Sequence, residues 1–258
     1  MRDLLAATER PLAGMWVCSG SPIVAEIAAG SGLDWLLIDM EHAPNGLESV
    51  LAQLHAVSAY DVTPVVRIPV ADPVTIKQVL DLGAQTILVP MVSSVAEAHA
   101  VVEAAHYPPR GRRGVGSALA RSARWNRVEG YLANAADHVS VLVQVETAAA
   151  VDAAAEIAAV DGIDGVFVGP SDLAASMGLL GQQTHPEVKA AVERAFAGVL
   201  DTGTPVGVNA FDPIAADGYF AAGARFVLVG ADVAMLARGS EALATRFIGA
   251  VDGPASSY

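Results

Sequence analysis

The stretch DLGAQTILVP, residues 81–90, combines the two signals that decide the fold. A glycine follows a helical stretch, where it can end the helix in a left-handed cap, and a short aliphatic run comes next. Four or five consecutive aliphatic residues between turn signals are typical of strands buried on both faces. The same unit recurs as GSGLDWLLID, VDGIDGVFVG and AAGARFVLVG, at residues 30–39, 160–169 and 221–230.

Four further aliphatic runs supply the remaining strands, at residues 15–19, 64–68, 141–146 and 205–209. Helices are predicted between the strands from their end signals. Asp72 precedes a proline and predicts the start of a helix that ends at Gly83. Thr184 with Glu187 predicts a capping box at the start of another helix, which ends at Gly203.

Eight strands that alternate with helices indicate the α/β class and a (β/α)8 TIM barrel in a single domain. A doubly wound open sheet is the alternative. Such a sheet usually carries a glycine-rich dinucleotide turn after its first strand, and Cys-Ser-Gly-Ser-Pro at residues 18–22 matches that turn poorly. We expect the barrel to span residues 1–251, with a frayed tail at 252–258.

One long insertion is predicted between strands four and five, at about residues 91–140. It holds a helix at about residues 94–106 and then an arginine-rich segment. The 15 basic residues of the chain are 13 arginines and two lysines, and six of the arginines lie between Arg110 and Arg127.

Composition excludes several classes of protein. The 258 residues carry 28 acidic and 15 basic side chains, and the formal charge of −13 disfavours a nucleic-acid partner. Cys18 is the only cysteine, so an internal disulfide and a thiolate zinc cluster are excluded. No uninterrupted apolar stretch reaches ~18 residues, and the N-terminus lacks an apolar signal core. The sequence therefore predicts a cytoplasmic protein that does not bind membranes.

Polar side chains gather where the predicted strands end, and in a barrel the chemistry lies at the carboxyl ends of the strands. Gln144 and Glu146 are two residues apart and share one face of strand five. Asp172 follows strand six. Two carboxylates without a nearby cysteine suit a hard cation such as Mg²⁺ or Mn²⁺, with positions left for a bidentate substrate. The alternative is that each carboxylate caps a helix or pairs with an arginine.

Other strand ends carry His42, Arg67 and Asn209, and the first two have more than one interpretation. His42 is a metal ligand, a general base or a structural histidine, and a base fits best because imidazole exchanges protons near neutral pH. Arg67 either holds a carboxylate or developing oxyanion, or forms a buried ion pair with Asp39 or Glu41.

Three further residues bear on the mechanism. Asp81 lies in the last turn of its helix, where the helix dipole disfavours an acid, so it is either paired, for instance with a histidine, or solvated. Lys77 and Lys189 are the only lysines, and neither ends a strand. A Schiff-base mechanism, which needs a lysine inside the barrel, is therefore disfavoured.

Long segments of the chain resemble the HpcH/HpaI aldolase family, over about residues 14–247. The segments that carry the resemblance are DWLLIDMEHAPN (34–45), PVVRIP (64–69), IKQVLDLGAQTILVPMV (76–92), YPPRGRRGVGSALARSARWNR (107–127), VLVQVET (141–147) and IDGVFVGPSDL (163–173). The resemblance implies a TIM-barrel, metal-dependent class II pyruvate aldolase that usually assembles as a hexamer. The implied reaction is the reversible cleavage of 4-hydroxy-2-oxo acids, such as 4-hydroxy-2-oxoheptanedioate, to pyruvate and an aldehyde.

The resemblance also implies a role for each residue of the site. His42 is the base, Asp81 raises its basicity, and Arg67 stabilises the transition state. The metal ligands are Glu146 and Asp172, which hold Mg²⁺, Mn²⁺ or Co²⁺ without an organic cofactor. Substrate contacts come from Arg67, Asp172, Gln144 and Ser171.

Two positions depart from the family pattern, which often has glycine at Met40 and alanine at Ser171. Met40 could reshape the pocket, whereas Ser171 would contribute only its backbone N–H. The alternatives are an aldolase for 2-keto-3-deoxy sugar acids of the rhamnonate type, a related acyl-CoA lyase, and a non-catalytic metabolite-binding barrel.

Overall fold

The strands form a closed parallel barrel. The computed structural model describes residues 1–249, and the tail predicted at 252–258 lies outside them. Neighbouring strands pair in chain order from β1 to β8, and β8 pairs with β1. The predicted (β/α)8 barrel is confirmed. The strands are Leu12–Val17 (β1), Trp35–Asp39 (β2), Thr63–Arg67 (β3), Thr86–Val89 (β4), Ser140–Val145 (β5), Gly165–Val168 (β6), Val206–Asn209 (β7) and Phe226–Ala231 (β8).

Helices cover the barrel and return the chain from the carboxyl end of one strand to the amino end of the next. They are Arg2–Ala7 (α1), Pro22–Ala29 (α2), Leu47–Val57 (α3), Pro73–Asp81 (α4), Val95–Ala105 (α5), Tyr131–Asn134 (α6), Ala148–Asp152 (α7), Ala154–Ala158 (α8), Pro170–Ser176 (α9), Pro186–Asp201 (α10), Pro213–Ala221 (α11) and Asp232–Ile248 (α12). No helix within residues 1–249 is both long and apolar enough to cross a membrane.

The first strand lies earlier than predicted. It begins at Leu12, whose N–H donates to the carbonyl of Arg225, and it ends at Val17 rather than at residue 19. The Asp232 carboxylate accepts the next two N–H groups, those of Cys18 and Ser19, at 2.8 and 3.0 Å. The Asp232 side chain therefore takes the N–H groups that would otherwise pair with the backbone of a neighbouring strand, and β1 ends there.

The helix-end signals are confirmed in part. The Asp72 side chain accepts from the N–H of Thr75, and Gly83 follows α4 with a φ of 93°. The capping box at Thr184 is wrong. His185 is the N-cap of α10, because the proline at the first helical position forces the residue directly before it into an extended conformation.

The unit at residues 30–39 differs from the other copies. Gly30 caps α2 with an ordinary φ of −80°, and the left-handed conformation falls on Gly32, with a φ of 88°. The predicted left-handed cap at Gly30 is therefore wrong by two residues, because the chain makes an extra turn before β2.

Apolar side chains form two principal layers. One fills the inside of the barrel and includes Trp16, Trp35, Phe167 and Phe226. The other lies between the sheet and the helices and consists mainly of Val, Ile, Leu and Ala. Gly207 makes room for the inner layer, since a Cβ there would lie 2.3 Å from the Phe226 ring.

The segment between β4 and β5 contains α5, two short 3-10 turns at residues 121–123 and 135–138, and α6. The helix predicted at about residues 94–106 is confirmed as α5, with Ser94 as its N-cap. Arg113 of the arginine-rich segment is buried and pairs with Asp81 of α4, with Nη2 2.6 Å from Oδ1.

Candidate active site

Arg67 lies at the carboxyl end of β3 and is 5% exposed. Asp39 ends β2 in register with it. The guanidinium donates from Nε to Asp39 Oδ1 and from Nη2 to Oδ2, both at 2.8 Å, in a fork-to-fork pair. Its Nη1 lies 2.8 Å from Oε2 of Glu41. The structure therefore contains the ion pairs that the sequence offered as one alternative, and Arg67 has both carboxylates as partners.

Glu146 follows β5 and is held by two donors. Its Oε1 accepts from the backbone N–H of Met91 at 2.7 Å, and its Oε2 accepts from Nε2 of Gln144. The pKa of Glu146 is raised to about 7, mainly by burial and in smaller part by the nearby charges of Glu41 and Asp172. The Met91 hydrogen bond and Arg67 oppose the rise. A carboxylate of this kind gains from a neighbouring positive charge.

Met91 is strained, since it is a non-glycine residue with a φ of 55°. Strained backbone of this kind persists where the surrounding structure holds it, and it is frequent at functional sites. Here the left-handed turn directs the Met91 N–H to Glu146. Nothing in the sequence signalled this contact, because it depends on the backbone and not on the residue type.

Asp172 and Ser171 lie in the first turn of α9, directly after β6, and both are exposed. Burial raises the pKa of Glu41, and the charges of Asp39 and Asp172 raise it further against Arg67 and His42. The charge of Asp172 therefore acts on both Glu41 and Glu146.

The donor set fits a hard divalent cation. Gln144 Oε1 is buried without a hydrogen-bond partner, so an acceptor is available beside Glu146. A Cβ at Gly169 would lie 2.9 Å from both Glu146 Oε2 and Gln144 Nε2, so glycine keeps this space open. Within residues 1–249 no group of three or more His, Cys, Asp or Glu forms a metal cluster. The predicted pair would thus leave most coordination positions to water and substrate.

His42 is at the rim of the mouth, with its side chain 65% exposed. Its Nε2 lies 3.7 Å from Glu41 Oε2, and its backbone N–H donates to Asp39 Oδ2 at 3.3 Å. Asn45 donates from Nδ2 to the Asp39 carbonyl at 2.7 Å and fixes the turn. An exposed imidazole near a carboxylate is available for proton transfer.

Asp81 lies towards the amino end of the barrel, opposite to the mouth. It is the last residue of α4, which runs back towards the amino end of the barrel, and β4 begins five residues later, at Thr86. Its partner among residues 1–249 is Arg113, and no hydrogen bond or ion pair there joins it to His42. Contact between Asp81 and His42 stays a prediction, and a second subunit would have to provide it.

Two further side chains are placed by the structure. Met40 packs against the apolar layer between sheet and helices, on the opposite side of β2 from Asp39, so the expected effect of Met40 on the pocket finds no support. Burial raises the pKa of Cys18 to about 12, in accord with a packing role for the thiol.

Comparison with known proteins assigns the chain to a family. The sequence profile described as HpcH/HpaI aldolase/citrate lyase matches residues 12–238. The chain belongs to this family. The 4-hydroxy-2-oxo-heptane-1,7-dioate aldolase of Salmonella dublin is 52% identical over 246 residues, which are 95% of this chain and 93% of that protein.

Solved structures of HpcH/HpaI proteins share the fold. One is a family protein from Burkholderia cenocepacia J2315, with a TM-score of 0.91 and 41% identity over 95% of this chain and 97% of that chain. Another is the HpcH/HpaI aldolase from Desulfitobacterium hafniense DCB-2, with a TM-score of 0.87 and 28% identity over 99% of each chain. The predicted family and its enzyme class, a carbon–carbon lyase, are confirmed.

Proposed function

We propose that this HpcH/HpaI protein is a divalent-metal-dependent pyruvate aldolase. It cleaves 4-hydroxy-2-oxo acids, such as 4-hydroxy-2-oxoheptanedioate, reversibly to pyruvate and an aldehyde. The observation that carries the proposal is a buried arginine at the barrel mouth, Arg67, which is paired with Asp39 and Glu41, next to a buried carboxyl group, Glu146, on which the charges of Arg67 and Asp172 both act. The name of the Salmonella relative supports the substrate class.

Glu146 and Asp172 are the residues that would hold Mg²⁺, Mn²⁺ or Co²⁺, and the mechanism needs no organic cofactor. A divalent cation in this position supplies Lewis-acid stabilisation of the enolate that remains when the C3–C4 bond breaks. The raised pKa of Glu146 supports this assignment. Burial makes the ionised form of this carboxyl group unfavourable, and a bound cation would stabilise that form.

Arg67 binds the 2-oxo acid and stabilises its developing negative charge. Its guanidinium cannot swing away, because Asp39 and Glu41 hold its nitrogens. A fixed donor of this kind needs no reorganisation when the enolate oxygen becomes charged. Gln144 offers its free Oε1, and Ser171 offers its backbone N–H in the first turn of α9.

His42 takes the proton from the 4-hydroxyl group during cleavage. In the direction of synthesis it removes a proton from the methyl group of pyruvate. Its side chain is 65% exposed, which leaves it accessible to substrate and to an approaching subunit. Asp81 of a neighbouring subunit would orient it in a homo-oligomer, which the family resemblance suggests is a hexamer.

The test is a panel of aldehydes incubated with pyruvate, the enzyme and Mn²⁺, with product analysis. We expect 4-hydroxy-2-oxo acids to form, and succinic semialdehyde to be among the best acceptors because it gives the seven-carbon diacid. Preference for hydroxylated aldehydes would instead assign a rhamnonate-type sugar-acid substrate. Turnover of an acyl-CoA thioester without any product from pyruvate would contradict the proposal.

A further inference from the structure

Asn209, the last residue of β7, has no role in the mechanism above. Its Oδ1 accepts a hydrogen bond from Nε1 of Trp16 of β1, at 2.7 Å, past β8, which lies between the two strands. The indole nitrogen can only donate, so the amide must turn its oxygen towards Trp16. This contact therefore determines the orientation of both side chains.

The Trp16 ring in turn covers Arg67. The guanidinium carbon lies 4.3 Å from the ring centroid, within the range of a cation–π contact. Asp39 and Glu41 hold the nitrogens of the guanidinium. The carboxylates and the ring thus restrain different motions: the carboxylates fix the guanidinium at its edge, and the ring prevents it from tilting out of its plane.

Trp16 needs a constraint of its own to do this. Its ring meets Phe167 edge to face, with centroids 6.4 Å apart at an angle of 87°. An edge contact between apolar rings leaves the indole able to rotate, whereas a directional hydrogen bond does not. Asn209 provides the only hydrogen bond to the Trp16 indole among residues 1–249.

We propose that Asn209 is a positioning residue for the reaction. By holding the Trp16 indole against Arg67, it fixes the plane in which the guanidinium presents its positive charge to the developing enolate oxygen. This inference rests on the proposed aldolase function, because it concerns the same oxygen. It predicts that Asn209 affects the chemical step more than substrate binding or folding.

The test is a double-mutant cycle with Asn209→Leu and Trp16→Phe, in the metal-loaded enzyme. Asn209→Leu removes the acceptor at similar volume, and Trp16→Phe keeps an aromatic face but removes the donor. We expect each variant to lower kcat for cleavage roughly three- to tenfold, as for the loss of one modest contact, with KM changed by less than about twofold. The double variant should be no slower than Trp16→Phe alone.

Binding of oxalate provides a readout that does not need turnover. Oxalate is a planar dianion with the shape of the pyruvate enolate, and its affinity for the Mg²⁺-loaded enzyme can be measured by calorimetry. The affinity should fall by a similar factor in Asn209→Leu, Trp16→Phe and the double variant. Independent, multiplicative losses, or a lowered thermal midpoint with unchanged kcat and oxalate affinity, would overturn the proposal.

A crystal structure of Asn209→Leu separates this inference from the proposed function. An indole that has turned away from Arg67 supports the positioning role, even if the wild-type enzyme makes no product from pyruvate and aldehydes. An indole that stays in place over the guanidinium contradicts it, even if the aldolase activity is confirmed.

Discussion

The structure contains two buried arginines that can be compared, Arg67 at the barrel mouth and Arg113 in the insertion. They have the same types of neighbour but differ in the number of carboxylates around the guanidinium. Each pairs with a carboxylate and lies over an aromatic ring, Arg67 over Trp16 at 4.3 Å and Arg113 over Tyr107 at 4.7 Å. Arg113 faces one carboxylate, that of Asp81. Its charge is therefore balanced within the chain.

Arg67 has more negative than positive charge around it. Asp39 and Glu41 both contact it, and Glu146 and Asp172 lie close enough to influence the same group of carboxyls. Burying several like charges around one cation is costly unless more positive charge is added. We infer from this difference that the Arg113–Asp81 pair, whose charges balance, stabilises the fold. The ion pairs of Arg67, where negative charge is in excess, belong to a binding site.

The largest effect is expected at His42, which lies at the barrel mouth, and at Asp81, the partner of Arg113, because these two residues would meet at a subunit contact. His42→Ala should lower kcat about 10²–10⁴-fold, as for loss of a general base, and Asp81→Asn should lower it less. Mixed and reassembled, the two impaired variants should together exceed the mean activity of the separate variants, because roughly a quarter of the sites would combine an intact His42 with an intact Asp81. Mixing without any recovery would place the two residues in separate roles.

Conservative replacement of each arginine tests the comparison directly. Arg67→Lys keeps the charge but cannot form the two parallel hydrogen bonds to Asp39 together with the contact to Glu41, so we expect kcat to fall about 10²–10³-fold. Arg113→Lys should lower kcat at least ten times less than this. It should instead lower the thermal midpoint by roughly 4–8 °C, the equivalent of about 2 kcal/mol. Equal losses of kcat in both variants would remove the distinction.

Proton competition at Glu146 should make metal binding depend on pH. Because burial raises its pKa to about 7, protons and metal compete for this carboxylate as the pH falls below 7. We expect Mn²⁺ affinity, measured by calorimetry, to drop by up to about tenfold per pH unit in that range. Glu146→Gln should bind Mn²⁺ weakly at all pH values, and a wild-type affinity that does not change between about pH 5 and 8 would contradict the assignment.

The smallest effect concerns the stability of the metal-free enzyme. The folded-state pKa of Glu146 lies above the ordinary value of 4.5, so the folded state binds the proton more tightly than the unfolded chain. Its contribution to stability is complete below about pH 4.5 and is lost as the pH rises through about 7. Relative to wild type, Glu146→Gln should therefore gain a few degrees in thermal midpoint between about pH 5 and 8 in the presence of a chelator. Parallel pH profiles would show that Glu146 has an ordinary pKa.

The barrel could be predicted because its strands are aliphatic runs buried on both faces. The limits of individual elements were harder to predict. Asp232, which is distant in the sequence, ends β1, and local sequence does not contain this effect. Pro186 moves the start of α10 from Thr184 to His185, and this is a local signal that outweighs the capping-box pattern.

The site could be predicted as far as parallel strands bring their carboxyl ends together. This rule found Arg67 and Glu146, whose positions the structure describes at the mouth. It could not decide which carboxylate pairs with Arg67, and the structure shows two. The backbone of Met91 and the indole of Trp16 were missed, since neither residue type signals a role at a strand end.

The central claim is that Glu146 and Asp172 hold a divalent cation at which pyruvate becomes an enolate beside Arg67. Exchange of the pyruvate methyl protons with D₂O, followed by NMR, tests this claim without an aldehyde. We predict rapid exchange with Mg²⁺, loss of exchange on chelation or in Glu146→Gln, and recovery in the wild type when Mg²⁺ is restored. Exchange that survives complete removal of metal, together with trapping of pyruvate on a lysine by borohydride, would contradict the account.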